Sequence, residues 1–329
     1  MKVAKDRSKA ARSLWYVAPG RAELRVEAVG KPGRGEVRVR ALFGAISRGT
    51  ERLILEGRVP KSEFERMRSP RMGGSFPFPV KYGYSTVGTI MDGPARGRTV
   101  FALHPHQSEF VVPASDTVAV PDKVPPARAV LAANMETALN AVWDAAPGPA
   151  DRIAVVGGGT VGLLVARLCA RMPGAEVTVV DVAGGRARLA KALGARFVLP
   201  DAGPQDCDIV FHASASEAGL ATALRIAGEE GTVAELSWYG SGDVAVPLGG
   251  AFHSRRLRLV ASQVGKVAPS HRARWTPGRR LEAALSLLDD PVLDKLLSPP
   301  VDFADLPKRL PQLLGSDSDV VCPLIRYPR

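Results

Sequence analysis

RIAVVGGGTVGLLVARLCARMPGAEVTVVDVAGGRARLAKALGARFVLP, residues 152–200, decides the fold. An apolar run, Ile153 to Val156, leads into glycines at Gly157, Gly159 and Gly162, a G-x-G-x-x-G spacing. Val161 to Arg171 reads as a helix, with neither proline nor glycine after Gly162, and Pro173-Gly174 end it. A second apolar run, Val177 to Val180, finishes on Asp181. The order is strand, tight turn, helix, strand, acid.

Each part has a physical role. Gly157 allows the sharp turn out of the strand, Gly159 lets a pyrophosphate approach the backbone, and Gly162 lets the helix lie close on the strand. The helix N-terminus offers N–H groups and a positive dipole end to phosphates. An acid about 20 residues beyond the turn accepts hydrogen bonds from an adenosine ribose, and Asp181 fills that place. The stretch predicts dinucleotide binding. A carboxylate repels a 2′-phosphate, so Asp181 favours NAD over NADP, while Arg186 and Arg188 point the other way. A plain glycine-rich turn would not require the acid.

Composition bounds the rest. The chain has 329 residues, enough for two domains, and an ordinary apolar fraction of 46%. No apolar run reaches transmembrane length, and the basic N-terminus lacks the apolar core of a secretory signal. The expectation is a cytoplasmic protein with no membrane contact. Three isolated cysteines, Cys169, Cys207 and Cys322, support neither a disulfide framework nor a cysteine-rich zinc site. The net charge of +11 comes from 44 basic and 33 acidic residues scattered along the chain. No nucleic-acid motif accompanies it, so nucleic acid is not an expected partner.

Residues 14 to 130 read as β-rich, with short runs separated by turns such as Pro32-Gly33 and Asp92-Gly93-Pro94. One interruption, Glu56 to Tyr82, carries Lys61, Arg66, Arg68, Arg71 and Lys81 among Phe64, Phe76 and Phe78. It reads either as a cover over an anionic small-molecule substrate or as a solvated loop anchored by its phenylalanines. Residues 127 to 146 form a helical pattern. After Asp181 the chain alternates: helices over 186–193 and 216–227, strands over 207–212 and 231–237, and a last strand in LRLVASQVG. A helix over 278–289 and a strand over 319–327 complete the chain.

A β-rich first third, a Rossmann middle and a short α/β tail resemble the medium-chain dehydrogenase/reductase family. GEVRVRALFGAISRGTE (35–51) resembles that family's early strand and catalytic loop, and FPVKYGYSTVG (78–88) its segment ending in Gly-His-Glu. RTVFALHPHQSEFVVPASDTVAVPD (98–122) resembles the barrel-closing strands, and METALNAV (135–142) the interdomain helix. Within the family the chain looks closest to zinc-independent members related to bacteriochlorophyllide hydroxyethyl dehydrogenases. The resemblance implies an α/β fold: a GroES-like β-barrel domain (1–128), a Rossmann doubly wound parallel sheet (129–265) and a return to the first domain (266–329). It also implies a homodimer.

The departures from that pattern concern zinc. Ser47 stands where zinc-dependent members place a cysteine, and Gly83-Tyr84-Ser85 stands for Gly-His-Glu. The segment before Thr137 reads Ala-Ala-Asn-Met-Glu, without the third ligand, and the four-cysteine structural loop is missing. The expectation is therefore neither catalytic nor structural zinc.

Hydroxyls then become the candidates. Thr50 matches the loop hydroxyl that relays protons in the family. Tyr84 replaces a zinc ligand and either aims its hydroxyl at the reacting centre or fills the core. Ser47 is a third candidate or a turn residue, and Glu51 orients neighbours or is solvated. His106, next to His104 in Leu-His-Pro-His-Gln, is a candidate proton carrier or a structural histidine. For the cofactor, the resemblance places Arg48 on the pyrophosphate and Thr137 beside the nicotinamide, and Ser214 after the FHA strand lines the groove. Asn134 and Glu136 face the cleft or cap a helix. The reading is an NAD(H)-dependent, zinc-independent oxidoreductase interconverting an alcohol and a carbonyl in an interdomain cleft. Its rivals are an NADPH-dependent quinone or enoyl reductase and a non-catalytic dinucleotide-binding regulatory or RNA-binding protein.

Overall fold

In the computed structural model, residues 10–316 and 318–328 are described. The chain forms two compact units, one comprising residues up to Leu131 and from Ser298 onward, the other Ala132–Leu297.

The first unit begins with β1 (Ala10–Ala18), β2 (Arg21–Ala28), β3 (Glu36–Ala45) and α1 (Arg48–Leu55). Short strands follow: β4 (Gly73–Gly74), β5 (Val80–Lys81), β6 (Thr86–Ile90), β7 (Thr99–Ala102), β8 (Glu109–Pro113) and β9 (Thr117–Ala119). α2 (Pro126–Ala129) ends the segment. The second unit contains α3 (Ala132–Ala145), β10 (Arg152–Val156), α4 (Thr160–Cys169), β11 (Glu176–Val180) and α5 (Ala187–Ala192). It continues with β12 (Arg196–Val198), β13 (Cys207–His212), α6 (Glu217–Ile226), β14 (Ala227–Glu235), β15 (Arg258–Ala261) and α7 (Pro277–Ser286). Back in the first unit lie β16 (Val301–Asp302), α8 (Leu306–Leu314) and β17 (Leu324–Arg326).

The second unit is a six-stranded sheet in the order β12-β11-β10-β13-β14-β15, every pair parallel. Its central strands are apolar because helices cover both faces of such a sheet. Val156, Val180, Val210 and Val233 pack with Leu220 and Leu224 of α6 in one core. The first unit has a four-stranded sheet, β2-β1-β5-β4, and a seven-stranded one. In the larger sheet β17 returns beside β3, and β3 pairs antiparallel with both β6 and β8. Val37, Val39, Ile90, Val100, Phe110 and Val112 form its core. These sheets match the expected α/β class, a Rossmann-type sheet plus a separate β-rich domain.

The structure differs from the sequence expectation in several places. The return to the first unit starts at Ser298, not at residue 266. Residues 266–297 stay in the second unit because α7 packs on α3 and buries Arg280. That guanidinium donates to Glu136 Oε1 at 2.9 Å, Asn140 Oδ1 at 2.5 Å and the carbonyls of Val264 and Lys266. The helical pattern over 127–146 is two helices, α2 and α3. The stretch 319–327 contains only a short strand, β17, and α1 and β12 appear where no element was read.

Candidate functional site

The glycine turn of the second unit is built by steric exclusion. Gly157 has φ +114°, in the left-handed region that disfavours other residues. A Cβ there would lie 2.7 Å from Ser214 N, and one on Gly162 would lie 1.9 Å from the Gly157 carbonyl oxygen. Gly159, the residue before α4, has nothing within 4 Å of its Cβ position and makes no side-chain cap. The turn is closed toward the sheet and open at the helix N-terminus, where an anion is favoured.

Parallel register sets Val156 against Val180, so Asp181 lands beside the turn. Gly158 N–H donates to its Oδ2 at 2.5 Å and Ala183 N–H to its Oδ1 at 2.7 Å. Both oxygens are fixed, and each keeps a lone pair for a ribose hydroxyl. Arg186 is buried and lays its stem against Gly158, whereas Arg188 is exposed. Ser214 follows β13 on the exposed surface, with its Oγ 2.7 Å from His212 Nε2. Thr137 lies in α3 and donates to the Ala133 carbonyl at 3.0 Å. Asn134 and Glu136 are both buried, and Glu136 pairs with Arg280, so its place is structural.

In the first unit the candidate hydroxyls converge. Tyr84, half-buried, hydrogen-bonds Thr50 Oγ1 at 3.3 Å and also the Ser47 hydroxyl. Burial pushes its phenol up to about 12, against the lowering effect of those two hydroxyls. Tyr84 therefore stays protonated near neutral pH and can donate a hydrogen bond.

Beneath them lies a buried polar network. Glu51, only 1% exposed, accepts from Ser47 N–H at 2.9 Å, from Tyr16 Oη at 2.5 Å and from His106 Nε2 at 2.9 Å. Burial first, and the Glu51 charge second, raise the Tyr16 phenol well above its usual value, so it too stays a donor. Of the alternatives read for Glu51, the geometry selects orientation of neighbours. His106 is 0% exposed and its Nδ1 has no partner, so it supports the network and does not meet solvent. His104 stacks on Phe110 at 3.7 Å and is likewise buried.

Arg48, expected on a pyrophosphate, donates to the carbonyls of Leu313, Gly315 and Val320 and so clamps the C-terminal segment of its own unit. The 56–82 segment also spends its charges internally. Arg71 pairs with Asp116, Lys81 with Glu27 at 2.7 Å, Arg66 with Glu63 at 3.8 Å, and Arg68 caps the Met72 and Gly74 carbonyls. Phe76 is buried between Phe64 and Tyr82. Arg68, Arg71 and Lys81 thus have structural partners, whereas Arg66 and Lys61 are exposed.

The sequence reading missed His212, Glu235 and Tyr239. His212 Nδ1 lies 2.7 Å from Glu235 Oε2, and Tyr239 Oη donates to the same oxygen at 3.0 Å. A histidine ending a strand just before Ser214 was the one available signal. Its acid partner comes from the neighbouring strand, which periodicity does not reveal.

No family model matches the chain, and no curated protein matches it by sequence. Solved structures do match. L-idonate 5-dehydrogenase from Escherichia coli str. K-12 substr. MG1655 aligns over 97% of this chain and 98% of its own, with a TM-score of 0.79 and 16% identity. The chain has the fold of the medium-chain dehydrogenases. A protein of Sinorhizobium meliloti 1021, assigned as a zinc-binding dehydrogenase and bound to NADP, shares that dehydrogenase fold over 97% of this chain and 99% of its own, with a TM-score of 0.77 and 18% identity. A short chain alcohol dehydrogenase from E. coli CFT073, complexed with NADH, does so over 97% and 99%, with a TM-score of 0.76 and 17% identity.

Proposed function

We propose that the protein is a zinc-independent, NAD(H)-dependent oxidoreductase interconverting an alcohol and a carbonyl. The observation that carries this reading is Asp181, held by two backbone N–H groups beside a glycine turn whose one open side lies at a helix N-terminus. The dehydrogenase names of the structural neighbours support it. NAD is favoured because the fixed carboxylate repels a 2′-phosphate.

The donor set does not fit zinc. Ser47 and Tyr84 offer hydroxyls at the ligand positions, and zinc takes sulfur, imidazole or carboxylate ligands. Glu51 is already filled by three donors. Among the described residues no three His, Cys, Asp or Glu side chains gather as a metal site.

The nicotinamide, when bound, supplies hydride transfer. The chain must hold a substrate oxygen and handle one proton. Tyr84 is suited to holding the oxygen, since a phenol kept protonated by burial stabilises an alkoxide-like oxygen as a hydrogen-bond donor. Thr50 and Ser47 hold that phenol in place and give its proton a route. Glu51 and His106 are positioning residues, since the Glu51 carboxylate ties the start of α1 to β1. A homodimer completes the reading on the family resemblance; no helix among the described residues is long and apolar enough to cross a membrane.

The test is fluorescence titration with NADH and NADPH, followed by turnover on a panel of secondary alcohols and ketones. Tight NADH binding with turnover is expected, and Tyr84→Phe should lower kcat/KM about 10²-fold with NADH affinity unchanged. Binding of neither nucleotide would overturn the reading, and full activity in the Phe variant would remove Tyr84 from it.

A further inference from the structure

We propose that the second unit carries a separate chemistry: Ser214, His212 and Glu235 form an acyl-accepting triad that reacts with activated carboxylic esters. The arrangement follows from sheet register. His212 ends β13, Glu235 ends β14, and the two strands pair in parallel with His212 opposite Glu235. His212 Nδ1 is 2.7 Å from Glu235 Oε2 and its Nε2 is 2.7 Å from Ser214 Oγ. That is the nucleophile, base and orienting acid in sequence, each within hydrogen-bond reach of the next.

Proton positions follow from the carboxylate. Glu235 also accepts from Ser237 N–H at 2.7 Å and from Tyr239 Oη at 3.0 Å. Burial opposes ionisation, but the bonds from His212 and Ser237 hold its carboxyl below the usual range. An ionised carboxylate only accepts, so a neutral His212 carries its proton on Nδ1 and turns the Nε2 lone pair to Ser214. The Ser214 hydroxyl donates into that lone pair, and Ser216 Oγ, 2.9 Å away, is its other neighbour. Ser214 is exposed, whereas the His212 side chain is 0% exposed. Its Oγ also sits 2.1 Å from the Cβ position of Gly219, in the first turn of α6, where the helix dipole favours negative charge.

Ser214 Oγ attacks the ester carbonyl carbon and its proton passes to His212 Nε2. The carbon–oxygen bond to the leaving phenolate breaks, which leaves an O-acyl serine. Water then cleaves that ester: one proton restores the serine hydroxyl, and the carboxylate departs while the remaining protons pass to solvent. A phenolate leaves without needing a proton, and the Glu235 carboxylate at His212 Nδ1 offsets the cost of the buried imidazolium that acylation forms. Burial does keep water from the imidazole, so deacylation is the slow step and a burst is expected. Ser214 N lies against the glycine turn, 2.7 Å from the Cβ position of Gly157. On the dinucleotide reading above, NADH and the ester therefore compete.

The experiment is rapid mixing of the full-length protein with p-nitrophenyl acetate, followed by peptide mass spectrometry. A stoichiometric nitrophenolate burst with acetyl on Ser214 is expected. His212→Gln should slow acylation about 100-fold or more, and Ser214→Ala should abolish the burst while retaining the wild-type circular dichroism. No burst from folded wild-type protein, or a burst undiminished in Ser214→Ala, overturns the triad. Acetylation of Ser214 that NADH does not block upholds the triad and removes Ser214 from the dinucleotide groove.

Discussion

The glycine turn at residues 157–162 and the polar network around Glu51 both depend on close contacts, but they draw those contacts from different distances along the chain. Gly162 is excluded from any larger residue by Gly157 in its own turn. Glu51 takes its partners from Tyr16, 35 residues back, and His106, 55 residues on. A steric requirement within one turn leaves a spacing in the sequence. A carboxylate filled by remote donors leaves only a glutamate that looks like any surface glutamate.

That contrast can be broken or sharpened by substitution. The largest effect is expected from Gly162→Val. The new Cβ would meet a backbone oxygen at 1.9 Å, and neither atom can yield without moving α4 off β10. Loss of NADH binding and of the cooperative melt of the second unit should follow, read by titration and circular dichroism. A variant that still binds NADH normally would show that the spacing is not what fixes the turn.

Glu51→Ala should come next, at about 3–5 kcal/mol, because it leaves buried Tyr16 and His106 without their acceptor. Urea midpoints measure it, and Glu51→Gln should recover part of the loss by keeping the shape. An alanine variant as stable as wild type would show that the buried carboxylate does not hold this network together.

His104 gives the same region a pH signature. Burial pushes its imidazole down to about 3, from an ordinary 6.5. The unfolded chain therefore binds a proton that the folded chain refuses between those values. Stability is full above the ordinary value and is lost as pH falls toward about 3, with a deficit of about 3 kcal/mol near pH 4. His104→Phe, stacked on Phe110, should flatten that part of the acid limb in urea titrations run from neutral to acid pH.

The smallest expected effect is on selectivity. Asp181→Ser should weaken NADH relative to NADPH by about tenfold, or about 1.4 kcal/mol. Unchanged discrimination in the two titrations would mean that the carboxylate serves the turn, through Gly158 and Ala183, and not the ribose.

The parallel sheet, its helices and the glycine turn were legible because each is encoded within a few tens of residues: apolar runs, glycine offsets and an acid at a strand end. Ser47, Thr50 and Tyr84 were found as a group by resemblance, and the structure brings them together. The boundary at Ser298 was not legible, because it turns on Arg280 reaching Glu136 and Asn140 across 144 and 140 residues. Nor was the role of Arg48, whose carbonyl partners lie more than 260 residues away.

By itself, then, the sequence determined the strand, turn, helix and strand around Gly157–Gly162 and the acid that follows them, because these are matters of residue type at short range. The tertiary structure alone decided that Glu51 is buried and that His212 faces Glu235 with Ser214 beyond it. Parallel pairing brings together strand ends separated by a whole crossover, and a buried charge shows itself only through the partners that folding delivers to it.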